Sequence, residues 1–264
     1  DAAVIPHRSL RSAVIPFLSR IPRRIGFTRS AGRKLLTEKI EYNSGIHEIL
    51  RNHELLAPLG ISGEPFAPSL MIPDEDRRIV QRQFADWGLG NDAPVIGIGP
   101  GSKWFTKQWG LKRYGELAQN LVQHHDCRVI FFGGQDEKEQ GDTLCRIDEC
   151  RMFNAAGTFT LLQAAAALEK ANAAVTNDNG LMHLAVASGI PVVAVFGPTV
   201  PEFGFAPWGE RHTVLGRDIY CRPCSIHGTK ECPEGHFRCM EEITPGMVLE
   251  TVVSYLEHGR ETGD

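Results

Sequence analysis

From about residue 90 onward the chain alternates short, almost wholly apolar runs with amphipathic stretches, and the apolar runs close on glycine turns or polar caps. "PVIGIGPGS", "CRVIFFGG", "NAAVTND" and "PVVAVFG" are such runs. Between them lie "GLKRYGELAQNLVQHH", with Leu111, Tyr114, Leu117, Ala118, Leu121 and Val122 at helical spacing, a helix over about 136–145, the segment "RMFNAAG", the alanine-rich "LLQAAAALEKA" and a helix over 180–188. Strands that are apolar throughout, rather than at every second residue, must be covered on both faces, and helices between them do the covering. The pattern therefore predicts an α/β fold with a parallel sheet.

Residues 1 to about 85 follow the same style less cleanly, with a strand over 1–5, a helix over 9–20, a strand "RRIGF" and helices near 45–57 and 74–88. This reads as the latter half of a second α/β domain. The chain begins at Asp1, without Met and inside a strand, so the expectation is a fragment whose first strands, and the place a signal peptide would occupy, lie upstream. "ITPGMVLETVVSYLEHG" carries a capping Thr244 and Pro245 in its first turn, ahead of a helical apolar stripe. The expected division is 1–88, 89–243 and a terminal helix in 244–264.

With 42% hydrophobic residues, 264 residues can bury one large core or two moderate ones. A net charge of -4 argues against a general nucleic-acid binder. No apolar stretch approaches the ~20 residues that span a bilayer. Seven cysteines, with Cys127, Cys145 and Cys150 scattered in helix or strand contexts, suit a reducing compartment better than a disulfide scaffold.

The densest candidate site is "TNDNGLMHLAVASGIPVVAVFGPT", residues 176–199. Asp178 and Asn179 end one strand and are natural caps for a helix beginning at Gly180; Gly197, Pro198 and Thr199 end the next. In an open parallel sheet both ends fall on the ligand-binding edge, where a helix N-terminus offers free N–H groups and a positive end to an anion. His183, one turn in, reaches the same space. Ordinary βα turns with a cap are the plainer account of "DNG" alone, but not of the paired turns.

At these residues the chain resembles glycosyltransferase family 9, the lipopolysaccharide heptosyltransferases. "HRSLRSA" (7–13) with "RRIGF" (23–27), "GPGSKWFTKQWGLKRYGELA" (99–118) and "CRPCSIHGTKECPEGHFRCMEEITP" (221–245) extend the resemblance over essentially the whole chain. It implies a GT-B fold: two Rossmann-like domains, the N-terminal one incomplete here, with the nucleotide-sugar on the C-terminal one and the last helix crossing back. It also implies transfer of a heptose from ADP-L-glycero-D-manno-heptose to the inner core of lipopolysaccharide. That transfer would be inverting, with no required cofactor, by an enzyme peripheral to the cytoplasmic face of the inner membrane.

The resemblance distributes roles. Lys107 is the lysine that contacts the diphosphate, Ser102 and Lys103 line its pocket with a hydroxyl at Thr106, and Glu137 or Asp136, with Glu137 preferred, takes the ribose hydroxyls. Asp178, Asn179, Gly180, Leu181 and His183 surround donor phosphates and sugar, beside Gly197 and Thr199. The general-base aspartate is expected upstream of Asp1, so no catalytic residue is assigned in this chain and turnover by it is not expected. His7, Arg8 and Arg11 are candidates for an anionic, lipid-linked acceptor through charge-assisted hydrogen bonds, with solvated arginines at a helix start as the equal alternative. "DED" at 74–76 mimics a metal-binding Asp-x-Asp but reads as the first turn of a helix.

Cys221, Cys224, Cys232 and Cys239 form C-x2-C-x7-C-x6-C. The first pair has zinc-ligand spacing; a structural zinc, disulfides and free thiols all remain open. Two other functions compete with transfer: a sugar-nucleotide epimerase of the same architecture, and a metal-stapled module that only binds a nucleotide. A nicotinamide dehydrogenase is weaker, because "GIGPGSKW" fails at the third glycine of G-x-G-x-x-G.

Overall fold

The computed structural model describes residues 1–90 and 93–261, the last three of these by secondary structure only. The final three residues of the segment 244–264 lie outside the described residues. Two compact units are present: 1–66 with 201–206, and 67–200 with 207–264.

In the first unit, β1 (Ala2–Ile5), β2 (Arg23–Phe27) and β3 (Glu38–Ile40) form a parallel sheet in that order, with Val4 opposite Ile25 and Phe27 opposite Ile40. Helix α1 (Leu10–Leu18) joins β1 to β2 and is capped by Ser9, whose hydroxyl accepts the Ser12 N–H at 3.3 Å. One sheet face buries Ile5 with Ala13 and Leu36; the other buries Ile25 and Phe27 with Leu55. The short strand β3 has no clear apolar signature ("EKI") and was not foreseen from the sequence.

Helix α2 (Glu48–Glu54) carries Arg51, which is 1% exposed. Its guanidinium donates to Glu48 Oε2 at 2.6 Å, Ile46 O at 2.6 Å, Tyr42 Oη at 2.5 Å and Phe203 O at 3.2 Å. That last bond, with Glu48 N–H to Gly204 O at 2.8 Å and His47 Nε2 to Ala206 O at 2.9 Å, ties residues 201–206 into this unit. Gly204 has φ +89°, and a Cβ there would run into the Arg51 guanidinium and Ile46 O.

The second unit holds α3 (Asp74–Asp86), β4 (Val95–Gly99), α4 (Leu111–His125), β5 (Arg128–Phe131), α5 (Lys138–Cys145), β6 (Met152–Asn154), α6 (Leu161–Leu168), β7 (Ala173–Asn177), α7 (Gly180–Ala187), β8 (Val192–Val195), β9 (His212–Leu215), α8 (Arg238–Glu241) and α9 (Pro245–Glu261). Its six strands are all parallel, in the order β6-β5-β4-β7-β8-β9. The chain winds outward one way from β4, then returns to lay β7 on its other side. Side chains alternate between two cores, as a period of two requires. Ile96, Ile98, Val129, Phe131, Val175 and Val193 face one, while Val95, Ile130, Phe132, Ala174 and Val192 face the other.

Helix α3 was placed with residues 1–88; it packs on α6 and buries Val80 and Phe84 in the second unit's core. Its apolar stripe was read correctly, but a stripe does not say which surface it will meet. Helix α9 packs on α4, with Val248, Val252 and Leu256 in the core shared with Leu117 and Leu121. The "DED" residues occupy the first turn of α3, and Asp76 accepts a hydrogen bond from Gln163 Nε2 at 2.9 Å.

Because a buried guanidinium holds the first unit together, Arg51→Ala should cost about 3 kcal/mol. Hydrogen exchange should show the loss in the amides of β1 and β2 well before those of β4 and β7.

Candidate functional site

The strand order puts the reversal point of the second sheet between β4 and β7, where loops leaving adjacent carboxyl ends diverge and leave a crevice. A cavity of about 420 Å³ lies there. The loop after β4 lines it with Gly101, Ser102 and Lys103, the loop after β5 with Phe132, Gly133, Gly134 and Glu137, and the start of α7 with Asn179, Gly180 and Leu181. Ala155, Phe159, Leu161, Ala164 and Leu184 add an apolar wall.

The buried amide of Asn177, the last residue of β7, fixes this edge. Its Nδ2 donates to Pro100 O at 2.8 Å and Gly101 O at 3.2 Å. Its Oδ1 accepts the Trp109 N–H at 3.1 Å and the Tyr114 hydroxyl at 3.0 Å. Burial pushes the Tyr114 phenol far above its ordinary pKa, so it stays protonated and a donor. Asn179 reinforces the arrangement: Oδ1 caps α7 at Met182 N–H and accepts from Thr176 Oγ1, while Nδ2 donates to Gly101 O at 2.7 Å. Glu137 Oε2 accepts the Gly134 N–H at 2.8 Å, and its carboxylate lies directly over Gly101, where any Cβ would collide with it.

Six of the residues singled out from the sequence therefore line one cavity: Ser102, Lys103, Glu137, Asn179, Gly180 and Leu181. Lys107, Asp178 and Thr199 form a separate cluster beside it. The Lys107 ammonium is 2.6 Å from Asp178 Oδ2, with both side chains nearly buried, and Thr199 Oγ1 donates to the same oxygen at 2.7 Å. His183 is exposed on α7, and Gly197 backs onto the Met240 side chain. The Thr106 hydroxyl donates to Thr229 O at 3.0 Å and accepts the Thr229 N–H at 2.7 Å, so it serves the fold.

The cysteine segment is held by polar bonds. Arg222 donates to Gly197 O at 2.6 Å, Thr199 O at 2.9 Å and Arg217 O at 3.0 Å, and Cys224 N–H to Pro198 O at 3.2 Å. All seven cysteines are free thiols. Among the described residues, no group of three or more His, Cys, Asp or Glu side chains is arranged to hold a metal ion. Cys221 faces His236 Nε2 at 3.8 Å, while Cys239 is buried against the core and its thiol is pushed up to about 11 by burial and by the neighbouring cysteines.

Sequence reasoning missed Asn177, which read as one more strand residue, and the apolar wall from Phe132 to Leu184. The doubled Phe in "CRVIFFGG" was the available sign, since at a period of two one of that pair had to leave the sheet on the helix-covered side.

In the first unit, His7 Nδ1 lies 3.0 Å from Ser9 Oγ and 3.1 Å from Ser12 Oγ, within the α1 cap. Arg8 is exposed, with its guanidinium carbon 4.3 Å from the Tyr42 ring centroid, and Arg11 is exposed on α1.

Comparison with known proteins extends over nearly the whole chain. Residues 1–236 match glycosyltransferase family 9 (heptosyltransferase). Lipopolysaccharide heptosyltransferase 2 of Salmonella typhimurium is 29% identical over 282 residues, 97% of this chain and 75% of that protein. The Escherichia coli protein of the same name is 28% identical over 97% of this chain and 75% of its own. The solved structure of E. coli ADP-heptose lps heptosyltransferase II has a TM-score of 0.77 at 26% identity, covering 98% of this chain and 77% of that one. A family 9 glycosyltransferase from Veillonella parvula, 24% identical, shares the fold at a TM-score of 0.84, over 98% and 74% of the two chains. The α/β fold of GT-B type is the fold of these relatives.

Asn177→Ala should strand the Tyr114 hydroxyl and the Trp109 N–H without partners, at about 2–4 kcal/mol in urea unfolding. Cys239, buried against the core with its thiol pushed up to about 11, should react with iodoacetamide at pH 8 at least several-fold more slowly than the exposed Cys150. Mass-spectrometric mapping of the alkylated cysteines checks this.

Proposed function

This chain belongs to glycosyltransferase family 9, the heptosyltransferases, and on that premise we propose that its second unit binds an ADP-activated heptose for transfer to the inner core of lipopolysaccharide. The observation that carries the reading is the cavity at the carboxyl ends of β4, β5 and β7, one half apolar and the other polar. A nucleobase fits the wall of Phe132, Phe159, Leu161 and Leu184. Glu137, at the glycine turn after β5, takes the ribose hydroxyls, and the diphosphate lies against the N-terminus of α7 beside Ser102 and Lys103.

The relatives support the donor and acceptor. One relative is E. coli ADP-heptose lps heptosyltransferase II, and the curated relatives are lipopolysaccharide or lipooligosaccharide heptosyltransferases. In the proposed step the acceptor hydroxyl attacks the anomeric carbon as its bond to the diphosphate breaks, inverting that centre. The hydroxyl proton passes to a carboxylate that we assign to no residue of this chain. Charge gathers on the departing ADP, and positive groups already aimed at it lower the barrier. Lys103 and the α7 N-terminus supply that charge, and Lys107 joins them by exchanging Asp178 for a phosphate oxygen. The same charges would let transfer proceed without a bound metal.

His7, Arg8 and Arg11 are proposed for the anionic acceptor, with Arg8 and Arg11 giving the charge and His7 ordering the α1 cap. Because that acceptor is a membrane lipid, the working enzyme would sit peripherally on the cytoplasmic face of the inner membrane. Among the described residues no helix is long and apolar enough to cross one.

Calorimetric titration of the folded chain with ADP and UDP tests the donor. ADP should bind at least tenfold more tightly than UDP, and Glu137→Gln, Lys103→Ala and Lys107→Ala should each weaken ADP by about three- to tenfold. Equal or tighter UDP binding would assign a different donor. No ADP binding by a folded sample would overturn the reading.

A further inference from the structure

Residues 221–237 form neither helix nor strand, yet they lie in close contact with the short 3-10 turn Phe105–Lys107. Thr106 and Thr229 exchange hydrogen bonds: Thr106 N–H to Thr229 O at 3.2 Å, Thr106 Oγ1 to Thr229 O at 3.0 Å, and Thr229 N–H to Thr106 Oγ1 at 2.7 Å. Phe237 stacks on Phe105, with ring centroids 5.5 Å apart and planes 17° from parallel. Gly228 lies against the Lys107 stem. A Cβ there would stand 3.1 Å from Lys107 Cγ and 2.8 Å from Trp104 Cβ, and its φ of +87° suits glycine.

The same segment grips the other half of the ion pair. Arg222 donates to Gly197 O at 2.6 Å and to Thr199 O at 2.9 Å. Thr199 Oγ1 in turn donates to Asp178 Oδ2, the oxygen 2.6 Å from the Lys107 ammonium. One end of the segment therefore holds the lysine and the other holds its carboxylate. Covering a sheet edge does not require this much. The Thr106 hydroxyl is buried and used both as donor and as acceptor within the clamp. Phe237 keeps a φ of +50°, rare for an aromatic residue, while it stacks on Phe105. A lysine stem is long and flexible, so its ammonium is aimed only where the stem is walled in.

We propose that Thr106 and Arg222 are positioning residues for a nucleoside diphosphate, acting through Lys107 and Thr199. They hold the ammonium and its carboxylate in the register from which Lys107 exchanges Asp178 for a phosphate oxygen. The inference rests on the donor reading and deepens it. Neither residue lines the cavity, so neither touches the nucleoside. The clamp therefore contributes to affinity for the diphosphate and nothing to affinity for adenosine. It also moves the Thr106 hydroxyl from the ligand to the loop that aims the lysine.

Two measurements on the full chain test this. The first is competitive acetylation with acetic anhydride, read by mass spectrometry at Lys107 against the exposed Lys103. Lys107, nearly buried and paired, should be acetylated more slowly than Lys103. Thr106→Val should speed Lys107 several-fold and leave Lys103 unchanged, and Thr106→Ser should restore protection. Arg222→Gln gives the same readout from the other end of the segment should Thr106→Val not fold. The second is calorimetry with ADP and with adenosine. Thr106→Val and Arg222→Gln should each weaken ADP by about tenfold with adenosine unchanged, and Thr106→Val should add nothing in a Lys107→Ala background. Unchanged Lys107 acetylation in the folded variants would overturn the clamp. So would equal losses of ADP and adenosine, additive effects with Lys107→Ala, or a Thr106→Ser variant as weak as Thr106→Val. Wild-type protein that binds no ADP, with Lys107 still uncovered by Thr106→Val, would count against the donor reading alone.

Discussion

One buried amide organises the second unit. Asn177 stands at the end of β7, beside the point where the sheet reverses direction, and uses both amide hydrogens and its carbonyl oxygen across the gap to the loop after β4. A backbone leaving a buried strand must find partners for its carbonyls, and here Pro100 and Gly101 find them in a side chain. The loop that lines the cavity is thereby held without a ligand. Trp109 and Tyr114 complete the network from below; both are wholly buried, packed edge to face at 4.9 Å. Burial drives the Tyr114 phenol far from ionisation, so it remains a donor to Asn177.

Charge is handled differently on the two sides of that network. Within the cavity, Glu137 leans on a backbone N–H and Lys103 extends near Trp104, its ammonium 5.8 Å from the ring. Beside the cavity, Lys107, Asp178 and Thr199 satisfy one another, which is the only economical state for charges so nearly buried. A diphosphate arriving at the α7 N-terminus would meet a lysine already desolvated and held by one exchangeable carboxylate. Such a lysine needs little reorganisation to accept a new oxyanion, and this is the physical content of preorganisation in the proposed transfer.

The cysteine-rich segment shows how polar side chains order an irregular stretch. Arg222 reaches three backbone carbonyls, and Thr106 and Thr229 exchange hydrogen bonds across 123 residues of chain. The C-x2-C spacing suggested a staple, and a guanidinium and hydroxyls tie this segment to its neighbours. Spacing alone cannot distinguish these, because it says how far apart two thiols can be and nothing about what else will satisfy the loop.

What the sequence determined by itself was everything local or periodic. The apolar runs made the strands of the second unit parallel and doubly covered, "DNG" capped α7 through Asn179, and the glycine turns put Ser102, Lys103, Glu137, Gly180 and Leu181 on one edge. The family motifs identified the family. Tertiary structure decided what depends on partners distant in the chain. It sent α3 and α9 to the second unit's core, since an apolar stripe is indifferent to which complementary surface covers it. It also separated Lys107 and Asp178 from the cavity as an ion pair, since desolvated charges take the nearest counter-charge. Finally, it laid Gly228, Thr229 and Phe237 on the turn that carries Lys107, a contact between distant parts of the chain that no single stretch of sequence shows.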